Sequence, residues 1–156
     1  MINCIFEDDG KALLRHVCVD VLVVKNDELL LVKRANKLLE GDKWGLAGGF
    51  VDRDETAKQA VEREVFEETG YRVENIKLLT IRDNPDRPHE DRQNIAFVFF
   101  CEAKEKEGEP DSESTEQKWF SFDKIPEENI VAFDHYENIK LYLEYKKENF
   151  NIPILK

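Results

Sequence analysis

The feature that most constrains this sequence is a predicted helix, Thr56–Thr69, in which an apolar stripe runs into a line of carboxylates. At about 100° per residue, the small apolar side chains of its first turns share one face, and such a face packs on a core. The same face continues with Glu64, Glu67 and Glu68. Like charges that converge in a partly desolvated place need cations to neutralise them. The hard cations Mg²⁺ and Mn²⁺ suit this set, and a solvated acidic face paired with surface lysines is the alternative.

A glycine-rich segment precedes this helix. Trp44–Val51 places Gly48 and Gly49 between bulky apolar residues. Glycine allows close approach of a ligand, and backbone N–H groups in such a loop can hold phosphate oxygens. A plain tight turn explains a Gly-Gly pair on its own. Next to the carboxylates, however, the pair favours a phosphorylated substrate held through divalent cations.

The rest of the chain predicts strands arranged around two helices. The predicted strands are Val17–Val24, Leu29–Arg34, Val73–Ile81, Asn94–Cys101 and Lys118–Ser121. The first of them is apolar except for Asp20, so it is predicted to be buried. A last helix is predicted at Asp134–Lys147, where Asp134 and Glu137 have the spacing of a capping box. This order indicates an α+β fold with a mixed sheet between helices.

Composition limits the class of protein. A chain of 156 residues predicts one domain, spanning residues 1–156. The net charge of −11 argues against broad binding of nucleic acid or anionic membranes. The longest apolar run, Ile95–Cys101, is too short to span a bilayer. Acids near the N-terminus argue against a secretory signal, and three cysteines without CxxC spacing favour a reducing cytoplasm.

Much of the negative charge lies in two segments. One is the predicted helix, and the other is Glu102–Gln117, which contains Gly108 and Pro110 and almost no apolar residues. The second segment is interpreted as a solvated surface loop between two strands.

The spacing from Gly49 to Tyr71 resembles the Nudix box. It runs Gly49, five residues, Glu55, seven residues, and then Arg63-Glu64-Val65-Phe66-Glu67-Glu68-Thr69-Gly70-Tyr71. Every fixed position matches, and the departure is Tyr71, aromatic at a packing position where an aliphatic residue is usual. The preceding hairpin, the Trp-Phe strand and the C-terminal helix extend the resemblance over most of the chain.

The resemblance implies an α/β/α sandwich and a hydrolase, dependent on Mg²⁺ or Mn²⁺, of a nucleoside diphosphate linked to another group. It implies that Glu64, Glu67 and Glu68 ligate the metal and that Arg63 orients a neighbouring glutamate. Glu55 would complete the metal shell through a water or hold Arg63. A water activated by the cation would attack phosphorus. The base would be a box glutamate or a loop acid, for which the candidates are Asp111, Glu113 and Glu116.

Two features resemble the ADP-ribose pyrophosphatase-type members of the family. Pro85 lies 15 residues after Gly70, as in those members, although a turn proline explains it equally well. Four arginines could bind a diphosphate, or could serve only the solubility of the surface. They are Arg34, Arg82, Arg87 and Arg92. The Phe133–His135 segment also resembles the start of their last helix, with His135 either lining the pocket or structural. Ala47 replaces the proline that usually precedes the two glycines, which weakens the case.

These features predict a cytoplasmic enzyme that cleaves ADP-ribose to AMP and ribose 5-phosphate. The enzyme alternatives are a (modified) nucleoside triphosphate, a dinucleoside polyphosphate or a sugar nucleotide as substrate. The non-enzyme alternative is a nucleotide-sensing Nudix module, which the intact box and the negative charge disfavour. The expected partner is a small-molecule nucleotide, not nucleic acid or a membrane, and a homodimer stays open.

Overall fold

The computed structural model describes residues 1–87 and 92–155. The strands are β1 (Ile2–Ile5), β2 (Lys11–Leu14), β3 (Val17–Lys25), β4 (Glu28–Arg34), β5 (Trp44–Gly45), β6 (Ala47–Phe50), β7 (Tyr71–Arg82), β8 (Ile95–Lys106), β9 (Ser114–Ser121) and β10 (Ile154–Leu155). The helices are α1 (Ala57–Thr69) and α2 (His135–Glu148), with a 3₁₀ turn at Glu128–Ile130.

Strand β3 lies inside a mixed sheet. Within the described ranges the strand order is β10-β7-β8-β3-β4-β5, while β6 also pairs with β3 and β9 with β4. β3 runs parallel to β8 and antiparallel to β4 and β6. The mixed sheet of the sequence prediction is therefore confirmed. β1 and β2 form a separate hairpin that the sequence prediction did not include.

The two helices cover opposite faces of this sheet. Successive side chains of a strand point to opposite faces, and β3 divides accordingly. Val19, Val21 and Val23 pack in one cluster with α1, whereas Leu22 and Val24 pack in another with α2. The fold is thus a helix–sheet–helix sandwich, as predicted. Asp20 belongs to the series that faces α2, where it is the acid among buried apolar residues.

Helix α1 ends at the predicted Thr69 and begins one residue after the predicted Thr56, which is its N-cap, and both caps are local. Thr56 Oγ1 accepts a hydrogen bond from the backbone N–H of Gln59 (3.3 Å), and Gln59 Oε1 accepts one from the N–H of Thr56 (2.8 Å). This is a capping box. Gly70 ends the helix in the left-handed region (φ +76°), and a Cβ there would collide with the carbonyl oxygen of Gly108.

The capping box predicted for the last helix is wrong. Asp134 is the N-cap of α2, but its side chain makes no cap hydrogen bond. Its carboxylate accepts hydrogen bonds from Arg87 instead, at 2.6 Å from Nη2 and 3.0 Å from Nε. A charged donor competes well with a backbone N–H for a carboxylate.

The loop within the acidic segment Glu102–Gln117 is shorter than predicted. β8 continues to Lys106 and β9 starts at Ser114, so both ends of the segment lie in strands. The loop between them docks on the C-terminal end of α1, where Asp111 N donates to Glu67 O (2.8 Å) and Gly108 N to Gly70 O (3.1 Å). This docking brings its acids to the box glutamates. Neither helix in the described part of the chain is long and apolar enough to cross a membrane.

Candidate active site

A cavity of about 490 Å³ opens where several parts of the chain meet. Its described lining comes from β3, the β4–β5 segment, the β6–α1 segment, α1, the described residues between β7 and β8, the β8–β9 loop and the start of α2. Glu64 and Glu67 of α1 line the cavity, together with Gly48, Gly49 and the aromatic ring of Phe50. The box helix therefore presents its carboxylates to a space that a small molecule can enter.

Both glycines of the Gly-Gly pair lie close to their neighbours, and the backbone contact at Gly48 leaves no room for a Cβ. A Cβ on Gly48 would collide with the carbonyl oxygen of Val19, and a Cβ on Gly49 would overlap the carboxylate of Glu64. The N–H of Gly48 donates to Glu68 Oε2 at 3.1 Å. In this structure the pair therefore seats the glutamates against the sheet.

Arg63 ties the acids of the box together. Its guanidinium makes a bidentate contact with Glu55, at 2.7 Å from Nη2 to Oε1 and 3.1 Å from Nε to Oε2. Nη1 donates to Glu64 at 2.7 Å and to Glu67 at 3.0 Å, and Nη2 donates to the carbonyl of Phe50 at 2.9 Å. The hydrogen bond to Glu55 is the main reason that the pKa of Arg63 lies above its usual range. These are the contacts expected if Arg63 orients the neighbouring glutamates and Glu55 holds Arg63 in place.

The carboxylates of Glu64 and Glu68 are costly in their charged form. Burial raises the pKa of Glu68 to about 8, with Glu64 and Asp111 adding to the effect and the N–H of Gly48 opposing it. Burial also raises the pKa of Glu64, against the influence of Arg63. Oxygen donors on buried acids are the ligands of a hard divalent cation. The residues present therefore fit Mg²⁺ or Mn²⁺.

The structure separates the three loop acids. Asp111 and Glu113 line the cavity. The N–H of Ala35 donates to the carbonyl oxygen of Glu113 at 2.9 Å, which fixes the loop to the end of β4. Glu116 is an exposed residue of β9, paired with Lys33, and is not among the described residues that line the cavity.

The four predicted arginines also fall into different places. Arg34, Arg87 and Arg92 line the cavity, whereas Arg82 is not among the described lining residues and donates to Asn138 Oδ1 at 2.7 Å. The guanidinium of Arg34 lies 5.0 Å from the ring centre of Phe133. That of Arg92 lies 5.7 Å from the ring centre of Phe50. Two arginine–aromatic pairs thus form part of the wall.

The sequence predicted Arg87 and His135 separately, but it did not predict the buried network that joins them to Asp20 and Asp134 beside the cavity. Arg87 contacts Asp134 closely and Asp20 Oδ2 at 3.4 Å, and His135 Nε2 lies 3.5 Å from Asp20 Oδ1. His135 is 4% exposed and its Nδ1 accepts from the N–H of Leu46 at 3.0 Å. The available signal was Asp20, an acid in the middle of an apolar strand. Burial would raise the pKa of Asp20, but His135 and Arg87 lower it to about 2.

Residues 14–142 of the chain match the family described as the NUDIX domain. The chain belongs to the Nudix family. An ADP-ribose pyrophosphatase from Methanocaldococcus jannaschii is 35% identical to it over 130 residues, which are 83% of this chain and 74% of that protein. The chain is therefore a Nudix pyrophosphohydrolase, which acts on phosphoric anhydrides.

Solved structures share the Nudix fold. An ADP-ribose pyrophosphatase from Streptococcus suis superposes with a TM-score of 0.74 at 24% identity, covering 92% of this chain and all (100%) of that one. A bifunctional NMN adenylyltransferase/ADP ribose pyrophosphatase from Francisella tularensis, complexed with AMP and a Mn ion, gives a TM-score of 0.66 at 30% identity. That match covers 84% of this chain and 42% of the other. Curated Nudix relatives also include NAD-capped RNA hydrolases, so the family does not name the substrate.

Proposed function

We propose that this Nudix hydrolase cleaves the pyrophosphate bond of ADP-ribose and releases AMP and ribose 5-phosphate. The observation that carries the proposal is the cavity, in which a wall of box glutamates and the arginine–aromatic pairs of Arg34 and Arg92 line one space. Arginine suits a diphosphate because its planar fork matches phosphate oxygens, and an aromatic ring offers a face for a base. The name of the relative from Methanocaldococcus jannaschii supports the same substrate.

Glu64, Glu67 and Glu68 hold the divalent cation in this proposal. When bound, the cation neutralises the diphosphate and activates a water for attack on phosphorus. The protein itself supplies the orientation of the acids, since Arg63 bonds Glu64 and Glu67 while the N–H of Gly48 bonds Glu68. Such contacts keep the donor set in one arrangement before the substrate enters.

The proton of the attacking water passes to an acid of the docked loop. Asp111 and Glu113 are the candidates that line the cavity. The N–H of Glu113 donates to Asp111 Oδ1 at 2.8 Å, which restrains the Asp111 side chain. We therefore assign the base to Glu113, and a larger loss of kcat in Glu113→Gln than in Asp111→Asn supports this assignment. Glu116 is not proposed as the base because it is outside the described lining.

The diphosphate would be held by arginines that line the same cavity as the glutamates. Arg34 and Arg92 are proposed as its ligands. Both line the cavity, whereas Arg82 is not among the described lining residues. Arg87 lines the cavity too, but it makes two hydrogen bonds to the carboxylate of Asp134. Each arginine that touches phosphate is worth about 1–3 kcal/mol when replaced by lysine.

A substrate panel tests the proposed function. With Mg²⁺, and separately with Mn²⁺, kcat/KM is measured for ADP-ribose, 8-oxo-dGTP, a diadenosine polyphosphate and a UDP-sugar. We expect ADP-ribose to exceed the others at least tenfold. A triphosphate whose kcat/KM exceeds that of ADP-ribose tenfold would contradict ADP-ribose as the substrate, but it would not contradict the pyrophosphohydrolase activity. Product analysis by chromatography must show AMP and ribose 5-phosphate.

A further inference from the structure

Asp20 is a buried carboxylate that faces the cavity. It is 8% exposed, it lines the cavity, and its neighbours in β3, Val19 and Val21, are fully buried. An ionised carboxylate accepts about four hydrogen bonds, and burying one is costly unless those bonds are made. The environment of Asp20 therefore has to supply donors.

The donors that the described part of the protein offers to Asp20 are distant. Asp20 contacts Arg87 Nη2 at 3.4 Å and His135 Nε2 at 3.5 Å, which is the outer limit of hydrogen-bonding distance. The same guanidinium bonds Asp134 at 2.6 and 3.0 Å. Arg87 is thus committed to Asp134, and Asp20 keeps acceptor capacity on the cavity side.

The charge of this network favours an uncharged ligand group. Nδ1 of His135 accepts the N–H of Leu46, so Nε2 is the ring nitrogen that faces Asp20. Asp20 and Asp134 then carry two negative charges against the one positive charge of Arg87. A neutral donor would complete the bonding of Asp20 without adding a further negative charge beside the two carboxylates.

The position of Asp20 fits a group next to the diphosphate. In the sheet, Asp20 is the register partner of Gly48, whose N–H bonds Glu68. Glu68 and Asp20 thus both approach Gly48, and Asp20 lines the same cavity as Glu64 and Glu67. A nucleotide with its diphosphate at the glutamates would place a sugar or base near Asp20.

We propose that Asp20 is a specificity-determining residue whose carboxylate accepts hydrogen bonds from neutral donors on the non-phosphate part of the nucleotide. The donors are sugar hydroxyls or the exocyclic amino group of the base. The inference rests on the proposed function in one respect, namely that a nucleoside diphosphate compound occupies this cavity. A site built to bond a substrate OH or NH discriminates strongly against an analogue that lacks it.

Analogues that each lack one donor test this proposal. We would measure kcat/KM for ADP-ribose, for its analogues with 2-deoxyribose at either sugar, and for the analogue with unsubstituted purine in place of adenine. Wild-type protein is expected to prefer ADP-ribose at least tenfold over one analogue, which identifies the sugar or the base as the source of the donor. In Asp20→Asn that preference should fall below threefold.

Asp134→Asn is the matched control. Asp134 belongs to the same buried network but is not among the described residues that line the cavity. Its replacement is expected to lower the melting temperature while the preference between analogues remains. A general disturbance of the network would lower both.

Two results would overturn the assignment of Asp20. One is an Asp20→Asn protein, folded by its melting curve, that keeps the full preference. The other needs no variant: a wild-type protein without a tenfold preference against any analogue. If ADP-ribose is not cleaved but a triphosphate is, the proposed substrate fails, and the same ratios for ATP, 2′-deoxy-ATP and purine riboside triphosphate judge Asp20 separately.

Discussion

Two arginines of this protein, Arg63 and Arg87, each lie among carboxylates, but the two networks differ in origin and burial. The acids around Arg63 come from the β6–α1 segment and from α1 itself, and the guanidinium side chain is 28% exposed. The acids around Arg87 come from β3 and from the start of α2, 67 and 47 residues away in sequence. The Arg87 side chain is only 5% exposed.

The difference in charge balance explains what each network does. Arg63 hydrogen-bonds three carboxylates, so the cluster keeps an excess of negative charge beside the cavity. That excess can be neutralised by a cation. Arg87 faces two carboxylates in a buried place, where an unpaired charge costs far more than in water. The first network is therefore suited to binding a cation, and the second joins distant parts of the chain and holds Asp20 at the cavity.

The largest expected effect is on the acids of the first network. Glu64→Gln and Glu68→Gln should each lower kcat by roughly 10³-fold, because an amide of the same shape lacks the charge that a divalent cation needs. Steady-state kinetics at saturating Mg²⁺ measure the loss. Glu62→Gln, an exposed position on the same helix, is the control and should keep its activity.

The same variants test cation binding without turnover. A cation that binds only the folded protein raises its melting temperature by mass action. Millimolar Mg²⁺ or Mn²⁺ should do so for wild type and Glu62→Gln but not for the double variant Glu64→Gln/Glu68→Gln. Near-wild-type turnover in both single variants would refute the assignment of Glu64 and Glu68 as metal ligands.

The second prediction concerns the loss of stability when each of the two arginines is replaced in turn. Arg87→Met should lower the free energy of unfolding by about 3–5 kcal/mol, because it leaves Asp20 and Asp134 buried without their cation. Arg63→Gln should lower it less, by about 1–2 kcal/mol, because the Arg63 side chain is 28% exposed and Glu67 is 48% exposed, although Glu55 and Glu64 are more buried. Urea unfolding monitored by circular dichroism measures both changes.

Activity should respond in the opposite order. Arg63→Gln is expected to lower kcat about 10–100-fold because the glutamates lose their orientation, well below the kinetic loss in the glutamate variants. Equal losses of stability in the two arginine variants would remove the distinction between the networks.

The smallest effect concerns pH and the buried network. The pKa of Asp20 is lowered from 3.8 to about 2 in the folded protein. The charged form therefore stabilises the fold above the unfolded pKa, by about 2 kcal/mol, and this stabilisation is lost as the pH falls through the folded pKa. The stability gap between wild type and Asp20→Asn should be constant from pH 7 to 5 and fall to about half by pH 3.

Urea titrations at each pH measure this gap. Glu62→Gln again serves as the reference, since its carboxylate is exposed and its gap to wild type should not follow this profile. A gap between wild type and Asp20→Asn that widens on acidification would contradict the charged pairing of Asp20.

The last helix shows why local sequence reasoning succeeds in one place and fails in another. Thr56 and Gln59 form their capping box because the two residues find each other within one turn. Asp134 and Glu137 have the same spacing, but Arg87 takes the Asp134 carboxylate. The segment Glu102–Gln117 gave a similar error, because its acids hide the strand ends that pair with β7 and β4.

The sequence by itself determined the line of glutamates on one helix face, the glycines beside it, the family and the class of reaction. Helical periodicity, caps and motif spacing act over a few residues and are visible in any stretch of chain. The tertiary structure alone decided which arginines line the cavity, that Arg82 bonds Asn138, that Arg87 bonds Asp134, and that Glu116 lies outside the described lining. Those outcomes depend on the path of the chain between residues far apart in sequence, because an ion pair or a cavity wall exists only once the sheet and both helices have come together.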